Sequence, residues 1–220
     1  MISLLSLFTK ILLIGSFLGY FFLAKQKLSL KQEFIPIFVF SSITLIVYFC
    51  GILGWLLQGS IIVMAVGFLI LAFTSFRRLG KGPRFRISFS LFQFVFLPGI
   101  LFFFTLLLQC TLTHYDNFSH WAIVLKQMLS TDAFPNASSD LIDFKNYPLG
   151  VTSFLYYVCR FAGNSQPIML FAQGLLTFSC FYAMFGVISE KKRFLLYAFL
   201  GLGLASLSLF NITIRISNLL

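Results

Sequence analysis

Long apolar runs separated by short basic segments dominate the chain, and their lengths set the elements they predict. A bilayer core of ~30 Å is crossed by ~20 mostly apolar residues in helical form. Six stretches meet or approach that length: 3–24, 34–57, 60–76, 88–110, 167–188 and 194–214. The third is short, and Gln58-Gly59 before it reads as a tight turn, so spans two and three are expected to form a hairpin. The first lacks the charged leader and small-residue cleavage site of a signal peptide and is read as retained, although Lys10 interrupts it. The predicted fold class is all-α, a polytopic transmembrane helical bundle of about six spans.

One segment breaks the pattern. Residues 111–166 are too polar and too long for a simple connection, and loops of this length are usually functional. The chain therefore divides into four spans (1–110), a large loop (111–166) and two further spans (167–220), the last part expected to be a truncated piece of a larger polytopic protein. Within the loop, Trp121, Val124, Leu125, Met128 and Leu129 fall at the spacing of one helical face. Asp116, Asn117 and Ser119 are candidate caps for that helix. Pro135, Asn136 and Ser138-Ser139 interrupt the pattern, and Asn146-Tyr147-Pro148-Leu149-Gly150 reads as a turn. A second apolar stretch, 151–162, is too short to span and is expected to be interfacial or re-entrant. Two amphipathic juxtamembrane helices framing a surface cavity are the expected result.

Composition supports the membrane reading and charge orients it. Hydrophobic residues make up 59% of the chain and charged residues 10%, with 31 Phe and a mean hydropathy of +0.96. Soluble domains carry roughly 25% charged residues. A net charge of +10 would suggest nucleic acid in a soluble protein, but here the basic residues mark one face of the membrane, and nucleic acid is not an expected partner. Lys25, Lys27 and Lys31 follow span one, Arg77, Arg78, Lys81, Arg84 and Arg86 follow span three, and Lys191, Lys192 and Arg193 follow span five. By the positive-inside rule these three loops are cytoplasmic, which puts the amino terminus and the 111–166 loop outside, with a bacterial plasma membrane as the expected location. Cys50, Cys110, Cys159 and Cys180 have neither metal nor disulfide spacing and read as small apolar residues.

The loop holds most of the candidate chemistry. Four of the six acidic residues (Asp116, Asp132, Asp140, Asp143), both histidines (His114, His120) and Trp121 lie there. The order His114-Tyr-Asp-Asn-Phe-Ser-His-Trp121, then Asp132-Ala-Phe-Pro135, then Tyr147-Pro-Leu-Gly150 resembles the first large external loop of the GT-C polytopic membrane glycosyltransferases. Those enzymes pass a sugar from a polyprenyl-phosphate or related lipid donor to an acceptor outside the cytoplasm. The resemblance implies that Asp116 is the catalytic carboxylate and that Tyr147 belongs to the substrate-binding turn. It covers about 40 residues of the loop, and the chain departs from it in three places, one being that several spans precede this loop whereas in many members it follows the first, which leaves the subfamily open. Leu149 stands where the family often has a second Pro, and Asn117 where a second acidic residue is common, which argues against a bound metal.

The implied chemistry is physically reasonable. A carboxylate can take the proton of an acceptor hydroxyl as the sugar transfers, and a cation can offset charge on the departing phosphate. Lys126, Lys145 and Arg160 are the cations of the loop, with Arg160 favoured for its bidentate guanidinium. Plainer roles stand beside these. Asp116 also fits a simple helix cap, Trp121 a membrane-interface anchor, and Asp132, Asp140 and Asp143 solvated loop charges. His114 and His120 are six apart and do not share a helical face, so no metal site is expected, with His120 kept as a substrate contact. Membrane lipids and a polyprenyl-phosphate sugar donor are the expected partners. A polysaccharide polymerase or ligase using Arg160 and His120, or a non-catalytic membrane protein or transporter, are the alternatives.

Overall fold

A computed structural model describes residues 4–79, 101, 104–139, 141–142, 147–188 and 194–210. Every regular element among them is helical: α1 (Leu4–Lys27), α2 (Ile35–Ile52, preceded by a 3-10 turn at Gln32–Phe34), α3 (Leu56–Leu79), α4 (Tyr115–Ser119), α5 (Trp121–Thr131), α6 (Gly150–Ala162), α7 (Gln166–Phe185) and α8 (Phe194–Phe210). Four of these are long and apolar enough to cross a membrane, namely α1, α2 with its leading turn, α3 and α7. Large apolar side chains such as Phe8, Ile11, Phe49, Ile62 and Phe73 lie exposed on them. Patches of that extent suit lipid rather than water. Most of the expected span 88–110, with Pro98-Gly99, lies outside the described residues, and so does the end of the expected span 194–214.

Local sequence explains where the helices begin and end. Pro36 and Pro167 occupy the first turns of α2 and α7, where a missing N–H costs nothing. The hairpin between α2 and α3 does turn tightly, but at Leu53–Trp55 rather than at Gln58-Gly59. Gly54 adopts a left-handed φ of 77°, the Trp55 N–H reaches the Cys50 carbonyl at 2.8 Å and the Gly54 N–H reaches Gly51 at 3.1 Å. That paired pattern ends a helix around a glycine. Gly59 instead lies inside α3, where a side-chain carbon would collide with Cys50. The third candidate span is consequently not short, running over Leu56–Arg77 for 22 residues.

Close backbone approach holds α1 against α3. A side-chain carbon on Gly19 would overlap the Gly67 carbonyl, and one on Gly15 would press on the Phe68 ring. Lipid offers no hydrophobic drive between helices, so small residues that let backbones touch, and a few buried hydrogen bonds, carry the association. Tyr20 donates to the Val63 carbonyl at 2.7 Å, and the Ser16 and Tyr157 hydroxyls meet at 3.3 Å.

The largest departure from expectation is α6. Nine of its thirteen residues are buried, including Phe154, Tyr156 and Tyr157. Thr9 donates to the Phe161 carbonyl at 2.8 Å, Ser16 meets Tyr157, and Phe154 packs 6.4 Å from Phe17 and 5.1 Å from Phe40. These contacts run in opposite chain order, so α6 lies antiparallel to α1 for ~10 Å and enters the bundle. The helix expected at 151–162 is thus present and packed among α1, α2, α5 and α7. Instead of framing an open cavity with α5, α6 packs directly on it.

Contacts also sort the connections by end. Lys31 donates to the Gly186 carbonyl at 2.8 Å, joining the segment after α1 to the end of α7. Those are two of the basic connections that the charge pattern assigns to a common side. At the other end of α2 the Phe134 ring fills the space beside Gly51. There too the Gln166 side chain at the start of α7 accepts from the Leu112 N–H at 3.1 Å. The polar loop thus gathers at the end opposite Lys31.

Candidate functional site

Cys110 ends the described part of the fourth apolar run, and α4 opens five residues later. The residue that caps α4 is His114, not an Asx or Ser side chain: its Nδ1 accepts the Asp116 N–H at 3.3 Å. Helix α5, for which Asp116, Asn117 and Ser119 are the expected caps, instead has His120 at its N-cap with no side-chain cap bond, and Asn117 is fully buried. Asp116 lies in the first turn of α4, where the helix dipole favours a carboxylate. Its Oδ2 is 3.4 Å from His114 Nδ1, and 41% of the side chain is exposed. A neutral His114 uses a bare Nδ1 to cap the helix, whereas an imidazolium would donate from that nitrogen to Asp116. One ring nitrogen thus faces both the Asp116 N–H and, at 3.4 Å, the Asp116 carboxylate.

One helical turn further on, the His120 N–H bonds the Asp116 carbonyl at 2.9 Å. The His120 ring lies 5.5 Å from that of Tyr147, which stacks on Trp121 at 5.8 Å and 15°. Asp116, His120 and Tyr147, three residues singled out by sequence, thus share one locality. Trp121 joins them there and is half-buried against Tyr147. Lys126 is exposed on α5.

Arg160 belongs elsewhere. Its Nη2 donates to Asp132 Oδ2 at 3.0 Å, and the Tyr156 hydroxyl donates to Asp132 Oδ1 at 2.6 Å. Asp132 is not the solvated loop charge expected from sequence, because it ends α5 in a left-handed conformation (φ 52°) and ties that end to α6. Burial, reinforced by the hydrogen bond to Asp132, pushes the Tyr156 phenol well above its ordinary value. It therefore stays a donor at any physiological pH. Asp132 comes eleven positions after Trp121, which is ~16 Å of helix. Asp116 and Arg160 consequently stand at opposite ends of α5. Sequence reasoning missed this second cluster, although Tyr156 and Arg160 at i, i+4 share a helix face by spacing alone.

Lys145, Asp140 and Asp143 lie outside the described residues. Among the described residues, no group of three His, Cys, Asp or Glu side chains could hold a metal ion. No protein-family model matches the chain, and neither a curated protein nor a solved structure does.

Proposed function

We propose that this chain is a membrane glycosyltransferase that moves a sugar from a polyprenyl-phosphate-linked donor to an acceptor at the outer face of the membrane. The observation that carries the reading is Asp116: a half-open carboxylate just beyond an apolar run, backed by His114 and one turn from the His120, Trp121 and Tyr147 rings. The resemblance of this loop to GT-C enzymes supports it. In this reading the chain crosses the membrane about six times, the basic connections face the cytoplasm, and α4 to α6 face outward.

In that role Asp116 accepts the proton of the acceptor hydroxyl as its oxygen bonds the anomeric carbon and the bond to phosphate breaks. The aromatic faces of Trp121 and Tyr147 offer an apolar platform for a sugar ring. Charge grows on the departing polyprenyl phosphate, and a nearby cation lowers its cost. Lys126 suits this better than Arg160, whose charge Asp132 already offsets. Asp116→Asn removes the base and keeps the shape. Membranes holding that variant at normal expression should transfer no sugar from a radiolabelled polyprenyl-phosphate donor. Full transfer would overturn the assignment.

A further inference from the structure

Between α1 and α2, at the end carrying Lys27, the helices part to leave a groove of about 230 Å³. Its floor is Ala24, Val39 and Ile43, all buried, and its walls are Leu23, Leu28, Phe38 and Ile46. The polar groups along it are already engaged: Ser42 donates to the Phe38 carbonyl at 2.8 Å, and the Tyr20 hydroxyl turns away to Val63. Whatever occupies the groove therefore meets hydrocarbon along its length. From Phe38 to Ile46 it extends ~12 Å along α2, close to the depth of one ~15 Å leaflet. Lys27 lines the mouth. Lys31, the next cation along, is committed to the Gly186 carbonyl.

We infer that this groove is a binding site for one anionic phospholipid, an acyl chain lying along Ala24, Val39 and Ile43 and the phosphate headgroup meeting Lys27. Both helices are long and apolar enough to span, so the groove opens on lipid tails and an acyl chain fills it without displacing a hydrogen bond. A single cation over an apolar slot of leaflet depth selects for a negative headgroup at its rim. The geometry distinguishes this site from ordinary boundary lipid, which meets convex helix surface. Anionic lipid attracted by one juxtamembrane lysine is held about fivefold better than neutral lipid.

Native mass spectrometry of the purified full chain, given equal amounts of phosphatidylglycerol and phosphatidylcholine with matched chains, tests this directly. One retained phosphatidylglycerol, favoured about fivefold, is the expected result. Lys27→Gln should abolish the preference while still retaining one lipid of either kind. Ser42→Trp, which fills the groove from a half-buried position, should abolish retention, whereas Leu69→Trp on the exposed side of α3 should not. Circular dichroism of each variant establishes that its helices persist. Equal retention of the two lipids by the unaltered chain would overturn the inference, and so would a preference that survives Lys27→Gln.

Discussion

Two aspartates at the two ends of α5 have been put to different uses. Asp132 is bound on both oxygens, by the Tyr156 hydroxyl and the Arg160 guanidinium, and fastens the end of α5 to a helix buried in the bundle. Asp116 sits in the first turn of a five-residue helix, half open to its surroundings, with an imidazole beside it. A carboxylate whose lone pairs are filled by fixed donors holds structure in place and is poorly suited to accept a further proton. One that keeps an open face beside a titratable neighbour is suited to move protons. Sequence alone presents both as acidic residues of the same loop, so the contrast lies in what the fold brings to each.

The sharpest way to break that contrast is to exchange the consequences. Asp116→Asn should lower sugar transfer by at least 100-fold, the usual worth of a general base, and leave the thermal unfolding midpoint unchanged. Asp132→Ala should do the reverse. It leaves Arg160 and the Tyr156 hydroxyl without their acceptor, and about 2 kcal/mol of stability should be lost, a figure kept low because the ion pair is about one-third exposed. Unfolding of the detergent-solubilised protein, followed by circular dichroism, measures it. Transfer by the folded fraction should persist. If Asp132→Ala abolishes transfer at unchanged stability, the two roles have been assigned the wrong way round.

How much of this was legible in the sequence depends on the range of the forces involved. Apolar runs of span length appear as α1, α2, α3 and α7 because backbone satisfaction in lipid is a local demand that helices meet alone. The face of α5 was legible for the same reason, with Val124, Leu125 and Met128 buried as their spacing predicts. The turn after α2 was misplaced because two glycines compete for it, and only Gly54 takes the left-handed conformation, while Gly59 serves packing. A small-residue signal, Gly15-x-x-x-Gly19, was present and marks the α1 contact with α3. The depth of α6 was not legible. Its thirteen residues fit an interfacial or a re-entrant helix equally, and the partners that bury it (Thr9, Ser16, Phe17 and Phe40) are distant in sequence. The Asp132 cluster was hidden likewise, since it needs α5 and α6 to be in register.

Within that cluster the contributions should be separable. Tyr156→Phe deletes one hydrogen bond and leaves the ion pair, so about 1 kcal/mol should go. Its aromatic packing remains, which makes the loss attributable to the hydroxyl. A double-mutant cycle of Tyr156→Phe with Arg160→Ala should show coupling, because both donors bind one carboxylate. Additive losses would mean that Asp132 is held by the backbone at the end of α5 rather than by its side-chain partners, and the contrast with Asp116 would weaken.

The smallest loss of stability expected of these variants falls at His114, and it bears most directly on Asp116. His114→Ala removes the acceptor that caps α4, at a cost of about 0.5–1 kcal/mol, too little to unfold a bundle held together by α1, α2, α3 and α6. Two explanations would nevertheless predict a slower transfer: a cap that fixes Asp116, or a proton partner that relays through Nδ1 at 3.4 Å. His114→Asn separates them, since its side-chain oxygen restores a cap acceptor but cannot take up and release a proton near neutral pH. Rescue of transfer by Asn, with a pH profile like that of the unaltered chain, assigns His114 to positioning. Transfer that stays low in Asn as in Ala, in protein that remains folded, makes the pair Asp116–His114 the proton-handling unit. The Nδ1 that accepts the Asp116 N–H also lies 3.4 Å from the Asp116 carboxylate, so the two outcomes divide on which of those contacts transfer depends.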